Sequence, residues 1–232
     1  MQSAFTETIC ALATAPGVAA IAVVRLSGPE AITICDSVFK AKKKDKKLVN
    51  QKSHTIHLGN IIDENNEFLD EVLVSVFKNP NSYTGEDVVE ISSHGSSYVQ
   101  QKVIELLLAK GARIATAGEF TMRAFLNGKM DLSQAEAVQD LISSDSETSH
   151  KLAIEQMRGG FSEEINKLRN QLIKFASLIE LELDFGEEDV EFADRTELKE
   201  LIFKVQKLTK YLMESFSLGK IQFIVDLKYE SF

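Results

Sequence analysis

Residues 118–137 bring backbone turns, a helix start and a lysine into one junction of the chain. Asn127-Gly128 tolerates positive φ angles and so places Lys129 at a sharp corner. Asp131 is followed three residues later by Gln134, the spacing of an N-cap with its capping-box partner, which predicts that a long helix begins here. We therefore expect an ammonium on a corner between two domains, where it is well placed to meet a ligand anion.

His94 is a second candidate, because an imidazole titrates near neutrality and can act as an acid or a base. It follows the apolar run that contains Glu90 and directly precedes Gly95, so it can lie at a strand end near a ligand. The sequence shows no partner for this ring, so an ordinary structural hydrogen bond is the favoured interpretation.

The remaining reactive residue types favour neither covalent nor metal chemistry. Cys10 and Cys35 stand far apart and have no neighbours at metal-ligand spacing, so we predict two inert buried thiols in a reducing compartment. No Ser, His and Asp set is recognisable. An acidic run crowds carboxylates together, but it lacks the spacing and the turn glycine of a calcium loop, so a solvated loop between helices is expected. Its members are Glu180, Glu182, Asp184, Glu187, Glu188, Asp189, Glu191 and Asp194.

The net charge of −9 is unevenly distributed, because one predicted loop is strongly basic. Its lysines suit either a solvated connection or a patch that contacts RNA phosphates. No aromatic residue is interleaved with them, so a stacking platform for single-stranded bases is not indicated. The lysines are Lys40, Lys42, Lys43, Lys44, Lys46, Lys47 and Lys52. No apolar run reaches the roughly 18 residues of a membrane span, and no secretory signal is recognisable, so a cytoplasmic location is expected.

The first half of the chain has the pattern of a mixed α+β domain, without a run of regular βαβ units. Short apolar runs predict strands at 21–26, 55–62, 72–77 and 88–91. One helix is predicted to open at Ser27, with Glu30 as its capping-box partner, and to carry Ala31, Ile32, Cys35 and Val38 inward. A second helix covers about 97–110 and stops at Gly111.

After Asp131 the apolar period is helical almost to the end. Three amphipathic helices are predicted, and together they suggest an antiparallel bundle whose apolar stripes form its core. The first stripe is Leu132, Ala135, Val138 and Ile142; the second begins after Gly159-Gly160 and runs from Phe161 to Leu183; the third runs from Leu198 to Leu212.

Four blocks of sequence, in order along residues 5 to 218, resemble one family. They are residues 13–17 (ATAPG) with 24–28 (VRLSG), residues 81–90 (NSYTGEDVVE), residues 118–137, and residues 183–185 (LDF) with Glu187-Glu188. The chain resembles the N-terminal domain and the first half of the helical domain of the tRNA-modification GTPase family MnmE, also called TrmE.

The resemblance implies a folate-binding domain akin to that of glycine-cleavage aminomethyltransferases, followed by an incomplete helical bundle. It implies that 5-formyl- or 5,10-methylene-tetrahydrofolate supplies a one-carbon unit for modifying the wobble uridine of tRNA. The family's folate-binding residues fall on Arg25, Glu90 and Lys129. A carboxylate can accept two parallel hydrogen bonds from the pterin ring, and the two cations can neutralise the glutamate tail. Which cation meets which part of the ligand stays open.

Each of these side chains also has a purely structural interpretation. Arg25 could cap a sheet edge, Glu90 could face solvent from a strand, and Lys129 could be a surface turn lysine. Phe120 and Phe125 could stack on the pterin or on the aromatic middle of a folate, but core packing is the simpler interpretation.

The resemblance further implies a homodimer formed through the N-terminal domain, an FAD-dependent MnmG partner and tRNA as substrate. It divides the chain into 1–120 (folate-binding and dimerisation domain), 121–218 (helical domain) and 219–232, where the GTPase domain would begin. The chain contains no phosphate-loop motif and lacks the family's C-terminal cysteine, so GTP, Mg and K are expected only in the intact family protein. A truncated chain, a stand-alone folate-dependent one-carbon transferase and a non-catalytic dimerisation module all remain open.

Overall fold

The computed structural model describes residues 7–43, 46–184 and 195–218. The chain divides into two compact units, Met1–Met130 and Asp131–Phe232. The first unit is a mixed sheet with helices and the second is helical, as the sequence predicts. The basic residue Lys44, most of the acidic run and the segment after Leu218 lie outside the described residues.

The first unit is built on a seven-stranded sheet with the order β3-β4-β5-β6-β2-β1-β7. Its strands are β1 (Ile9–Leu12), β2 (Ala19–Ser27), β3 (Phe39–Ala41), β4 (Thr55–Ile62), β5 (Phe68–Phe77), β6 (Val88–Gly95) and β7 (Arg113–Ile114). All neighbouring strands are antiparallel except β1 and β7, which are parallel. The four strands predicted from apolar runs are confirmed, and three of them are longer than predicted.

Helices α1 (Ala31–Val38) and α2 (Ser97–Ala109) pack on one face of this sheet, and α3 (Glu119–Leu126) follows β7. The alternation on β5 shows which face is covered: Val72, Val74 and Val76 are buried, whereas Glu71 and Leu73 are exposed. Side chains alternate between the faces of a strand, so the exposed side chains of β5 lie on the opposite face of the sheet. We call it the outer face.

The prediction that Ser27 caps the first helix is wrong. Ser27 is the last residue of β2, and α1 begins after Glu30, which makes no side-chain cap bond. The Ser27 hydroxyl is buried and is instead bonded to Thr84 (2.6 Å) and Glu86 (2.8 Å). A buried hydroxyl needs a partner, and these two side chains outcompete the helix terminus for it. The inward face of α1 is nevertheless as predicted.

Both cysteines are free and buried, as predicted. Burial raises the pKa of the Cys10 thiol to about 11. Burial, reinforced by the neighbouring Asp36, raises the pKa of Cys35 further. Neither thiol is therefore a ready nucleophile in the folded chain.

The second unit contains α4 (Leu132–Ser143), α5 (Glu147–Met157), α6 (Gly160–Asp184) and α7 (Arg195–Leu218). The capping box of Asp131 and Gln134 is confirmed. The separate helix α5 was not predicted. Among the described residues, no helix is long and apolar enough to cross a membrane.

The first apolar stripe of this unit is only partly a core, contrary to prediction. Leu132 is 58% exposed and Ile142 is 75% exposed, whereas Ala137 is fully buried. The reason is that α4 pairs with α5, which buries Leu152 and Ala153, and small residues allow two helices to approach closely. The start of α4 is hydrogen-bonded to the end of α5: Gln134 donates to the Met157 carbonyl, and Gln156 donates to the Ser133 carbonyl. The two helices are therefore antiparallel.

Candidate functional site

Arg25 and Glu90 form an ion pair on two adjacent strands of the sheet. They are directly opposite in the register of β2 and β6. Arg25 donates to Glu90 Oε1 from Nε (2.9 Å) and from Nη2 (2.8 Å). Their side chains are 26% and 28% exposed, so ligands can reach both. β2 lies between β6 and β1, which rules out the interpretation of Arg25 as the cap of a sheet edge.

Two aromatic rings hold the Arg25 guanidinium in place. Its Cζ atom lies 5.2 Å from the ring centroid of Tyr83 and 5.6 Å from that of Phe120, within the range of cation–π attraction. The Tyr83 hydroxyl is in turn bonded to Thr121 at 2.8 Å. A guanidinium restrained by a carboxylate and two rings has little rotamer freedom left to lose when a ligand binds.

Lys129 contacts the loop that carries Tyr83, residues 79–87. Its ammonium donates to the Pro80 carbonyl at 3.1 Å. Its stem packs on Gly85, where a Cβ would lie 3.2 Å from Lys129 Cγ and where φ is +75°. A side chain at this position would therefore meet both a strained backbone and the lysine stem. Lys129 is thus attached to the same loop as the ring that contacts Arg25.

Beneath this loop lies a buried ionic cluster that the sequence did not reveal. Arg123 is fully buried and donates to Glu86 (3.1 Å) and Glu119 (3.0 Å), which are also buried. Two bonds from Arg113, with further bonds from Thr116 and Arg123, lower the pKa of Glu119 to about 2. Buried charges persist only when they are paired and hydrogen-bonded. The cluster joins the 79–87 loop to α3, and these two elements supply both rings around Arg25.

One feature of the sequence pointed to this cluster. Glu86 and Arg123 both fall inside the blocks that carry the family resemblance. Their pairing was hidden because a charged residue is normally expected at the surface.

His94 has a partner that the sequence did not identify. Its Nδ1 lies 2.7 Å from Asp70 Oδ1, and its backbone N–H donates to Asp70 Oδ2 at 2.8 Å. Asp70 lies on β5, the strand next to β6, 24 positions earlier in the chain. The His94 ring therefore has a partner in Asp70, although the sequence showed none.

Several lysines of the basic loop have local partners. Lys42 pairs with Glu71, Lys47 lies 3.8 Å from Asp36, and Lys40 donates to Asn66 at 3.1 Å. These contacts favour the solvated connection, and a role in binding RNA phosphates stays a prediction. Within the described ranges, no group of three or more His, Cys, Asp or Glu side chains could hold a metal ion.

Comparison with known proteins places the chain in a family. The family model for the N-terminus of the GTP-binding protein TrmE matches residues 8–129. The model for the MnmE helical domain matches residues 132–223.

Curated relatives named tRNA modification GTPase MnmE match nearly the whole chain. The relative from Flavobacterium johnsoniae is 65% identical over 93% of this chain. Those from Flavobacterium psychrophilum and Parabacteroides distasonis are 60% and 55% identical over 94% and 92% of it. The match covers 46% of each of these relatives, so the chain spans less than half of their length. With both family models matched in order, the chain belongs to the tRNA modification GTPase family MnmE, also called TrmE.

Proposed function

We propose that this chain binds a tetrahydrofolate derivative at Arg25 and Glu90 and takes part in modifying the wobble uridine of tRNA. The observation that carries the proposal is the half-buried ion pair on the outer face, restrained by two aromatic rings. Such a site offers charged hydrogen-bonding groups beside π surfaces. A pterin ring can use both, since it is flat and aromatic and carries hydrogen-bonding groups at its edge.

Glu90 has acceptor capacity to spare. Its Oε1 accepts from Arg25, whereas Oε2 accepts no hydrogen bond from the described residues. A carboxylate has about four acceptor sites in all, so the amino group and ring N–H of a pterin can bind without breaking the ion pair. Arg25 uses Nε and Nη2 on Glu90, and Nη1 remains able to donate to a ligand oxygen.

Lys129 supplies a second cation. Among the described residues its ammonium makes one hydrogen bond, to the Pro80 carbonyl, and an ammonium carries three donors. We assign it a contact with an oxygen of the folate. Either 5-formyl- or 5,10-methylene-tetrahydrofolate has suitable oxygens, and either form can occupy this site.

The whole-protein activity enters through the relatives, which are named as tRNA modification GTPases. We propose that this chain acts within such a protein, with tRNA and the FAD-dependent MnmG subunit as partners. The sequence contains no phosphate-loop motif, so the chain by itself is not expected to bind GTP or the Mg and K ions that accompany it.

A homodimer through the first unit is also part of the proposal. Exposed apolar side chains on the outer face support it, because a monomeric protein rarely leaves such residues clustered. They are Ile21 (63% exposed), Ile56 (66%), Leu58 (48%) and Leu73 (46%). If the chain dimerises but binds no folate, a non-catalytic dimerisation module is the better assignment.

Calorimetric titration with 5-formyltetrahydrofolate tests the proposal. We expect saturable binding that Glu90→Gln and Lys129→Ala each weaken. Loss of one hydrogen bond to a charged group costs about 1.5–3 kcal/mol, or about 10- to 100-fold in Kd. Lys110→Ala is the matched control, because Lys110 is an exposed lysine at the end of α2. Absence of binding by folded wild-type chain would reject the proposal.

A further inference from the structure

Asp70 and His94 form an acid–imidazole pair that the site above does not use. The Asp70 side chain is 9% exposed and that of His94 is 72% exposed. Asp70 accepts from the His94 backbone through one oxygen and contacts the ring through the other. The pair therefore anchors an exposed ring to a buried carboxylate.

Part of this arrangement has a structural explanation. The paired register of β5 and β6 runs from Phe77 opposite Val88 to Leu73 opposite Ser92. Beyond that point Asp70 replaces the missing backbone acceptor for the His94 N–H. The ring contact is not needed for this purpose, yet it restrains an exposed side chain that would otherwise be free to rotate. With Nδ1 held by Asp70, the ring meets solvent through Nε2.

His94 lies on the same face of the sheet as the Arg25–Glu90 pair. Along β6, Glu90, Ser92 and His94 are partly or fully exposed, whereas Ile91 and Ser93 are buried. Glu90 and His94 are four residue steps apart along the strand, a distance of about 13 Å.

Between them, Ser92 is flanked by Leu73 of β5 and Val23 of β2. Along the outer face of β6, the order of groups is therefore the ion pair of Glu90, then the small polar Ser92 between apolar neighbours, then the imidazole of His94.

A tetrahydrofolate has the same order of chemical groups. A hydrogen-bonding pterin is followed by an apolar benzoyl ring and then by the carboxylates of a glutamate tail. We propose that His94 binds a tail carboxylate through Nε2, in an inference that rests on the folate site proposed above. Lys129 donates to Pro80, in the loop that precedes β6. Glu90 lies near that end of β6, so Lys129 meets the pterin end of the ligand.

The chemistry of the ring fits this role. An imidazolium carries two N–H donors, so one nitrogen can serve Asp70 and the other a ligand carboxylate. The charged group in contact with the ring is Asp70, and the register places the uncharged Ile21 of β2 opposite His94. A charge-assisted bond of this kind is stronger than a neutral one.

The test compares two ligands, one with the benzoylglutamate part of the folate and one without it. Calorimetry with 5-formyltetrahydrofolate and with methyltetrahydropterin, which has no benzoylglutamate, is carried out on wild-type chain, His94→Gln, Lys129→Ala and the control His150→Gln. His150 is an exposed histidine of α5, in the other unit. We expect His94→Gln to weaken folate binding about tenfold and to leave the pterin affinity unchanged. Lys129→Ala should weaken both ligands, and His150→Gln neither.

The inference is overturned if His94→Gln leaves the folate affinity unchanged or weakens both ligands equally. It is also overturned if Lys129→Ala alone causes a loss specific to the tail, because the tail then lies at Lys129. In each of these cases the folate site itself survives. If wild-type chain binds neither ligand, the folate site fails as well. The ring protons of His94 give an independent NMR readout: they should shift with the folate and not with the pterin.

Discussion

Removal of the buried Arg123 charge should destabilise the first unit strongly. Arg123→Met keeps an apolar chain of similar reach but leaves Glu86, which is 1% exposed, without its guanidinium. Glu119 keeps most of its hydrogen bonds, because Arg113 still donates to it at 2.7 and 3.1 Å and Thr116 still donates to it at 2.8 Å. Breaking a buried ion pair from one side costs about 3–5 kcal/mol. We expect a loss of that size, due mainly to removal of the guanidinium from the buried Glu86 carboxylate.

A second substitution isolates this cause. In Arg123→Met with Glu86→Leu the buried carboxylate is removed together with the guanidinium, and an apolar pair of similar volume is often as stable as the ion pair. The double variant should therefore be more stable than Arg123→Met alone, even though Ser27 loses its bond to Glu86.

Urea unfolding followed by circular dichroism measures these differences, and hydrogen exchange of the β2 and β6 amides reports on the first unit. Arg158→Met, at an exposed arginine of the second unit, is the control and should lie within about 0.5 kcal/mol of wild type. A cost below about 1 kcal/mol for Arg123→Met, or a double variant no more stable than the single one, would refute the reasoning.

Three further outcomes follow from the ionisable groups of the first unit. The pKa of Glu119 is lowered from 4.5 to about 2, so its contribution to stability is complete above about pH 4.5 and is lost as pH falls towards 2; Glu119→Gln should flatten acid unfolding in this window. The pKa of His57 is lowered from 6.5 by burial and by a nearby lysine; because the unfolded chain binds the proton more readily, stability should fall as pH drops below about 6.5, and His57→Asn should remove that slope. Cys10 and Cys35 are buried with raised pKa values, so a thiol reagent at pH 7.5 should modify them only as fast as the unit opens, which mass spectrometry can follow.

Local signals in the sequence predicted the elements that depend on local chemistry. The capping box of Asp131 and Gln134 is confirmed because both bonds form within four residues. The apolar runs predicted the central strands for a similar reason, since alternation along one strand is enough to reveal them. Ser27 shows the limit: its spacing to Glu30 fits a cap, but buried partners from the 79–87 loop bind its hydroxyl instead.

The contacts that organise the candidate site join residues far apart in sequence. Asp70 and His94 meet because β5 and β6 are neighbours, and Arg123 meets Glu86 because α3 packs against a loop. Nothing in the spacing of these residues indicates that they pair. The family resemblance named Arg25 and Glu90 individually, and the register of β2 and β6 places them opposite each other.

A crystal structure of the chain with saturating 5-formyltetrahydrofolate tests the central claim most directly. The account predicts density for the pterin ring beside Tyr83 and Phe120, with its amino group within hydrogen-bond distance of the Glu90 carboxylate. Density for the ligand elsewhere on the chain, or an Arg25–Glu90 pair with no ligand beside it at saturation, would contradict the account.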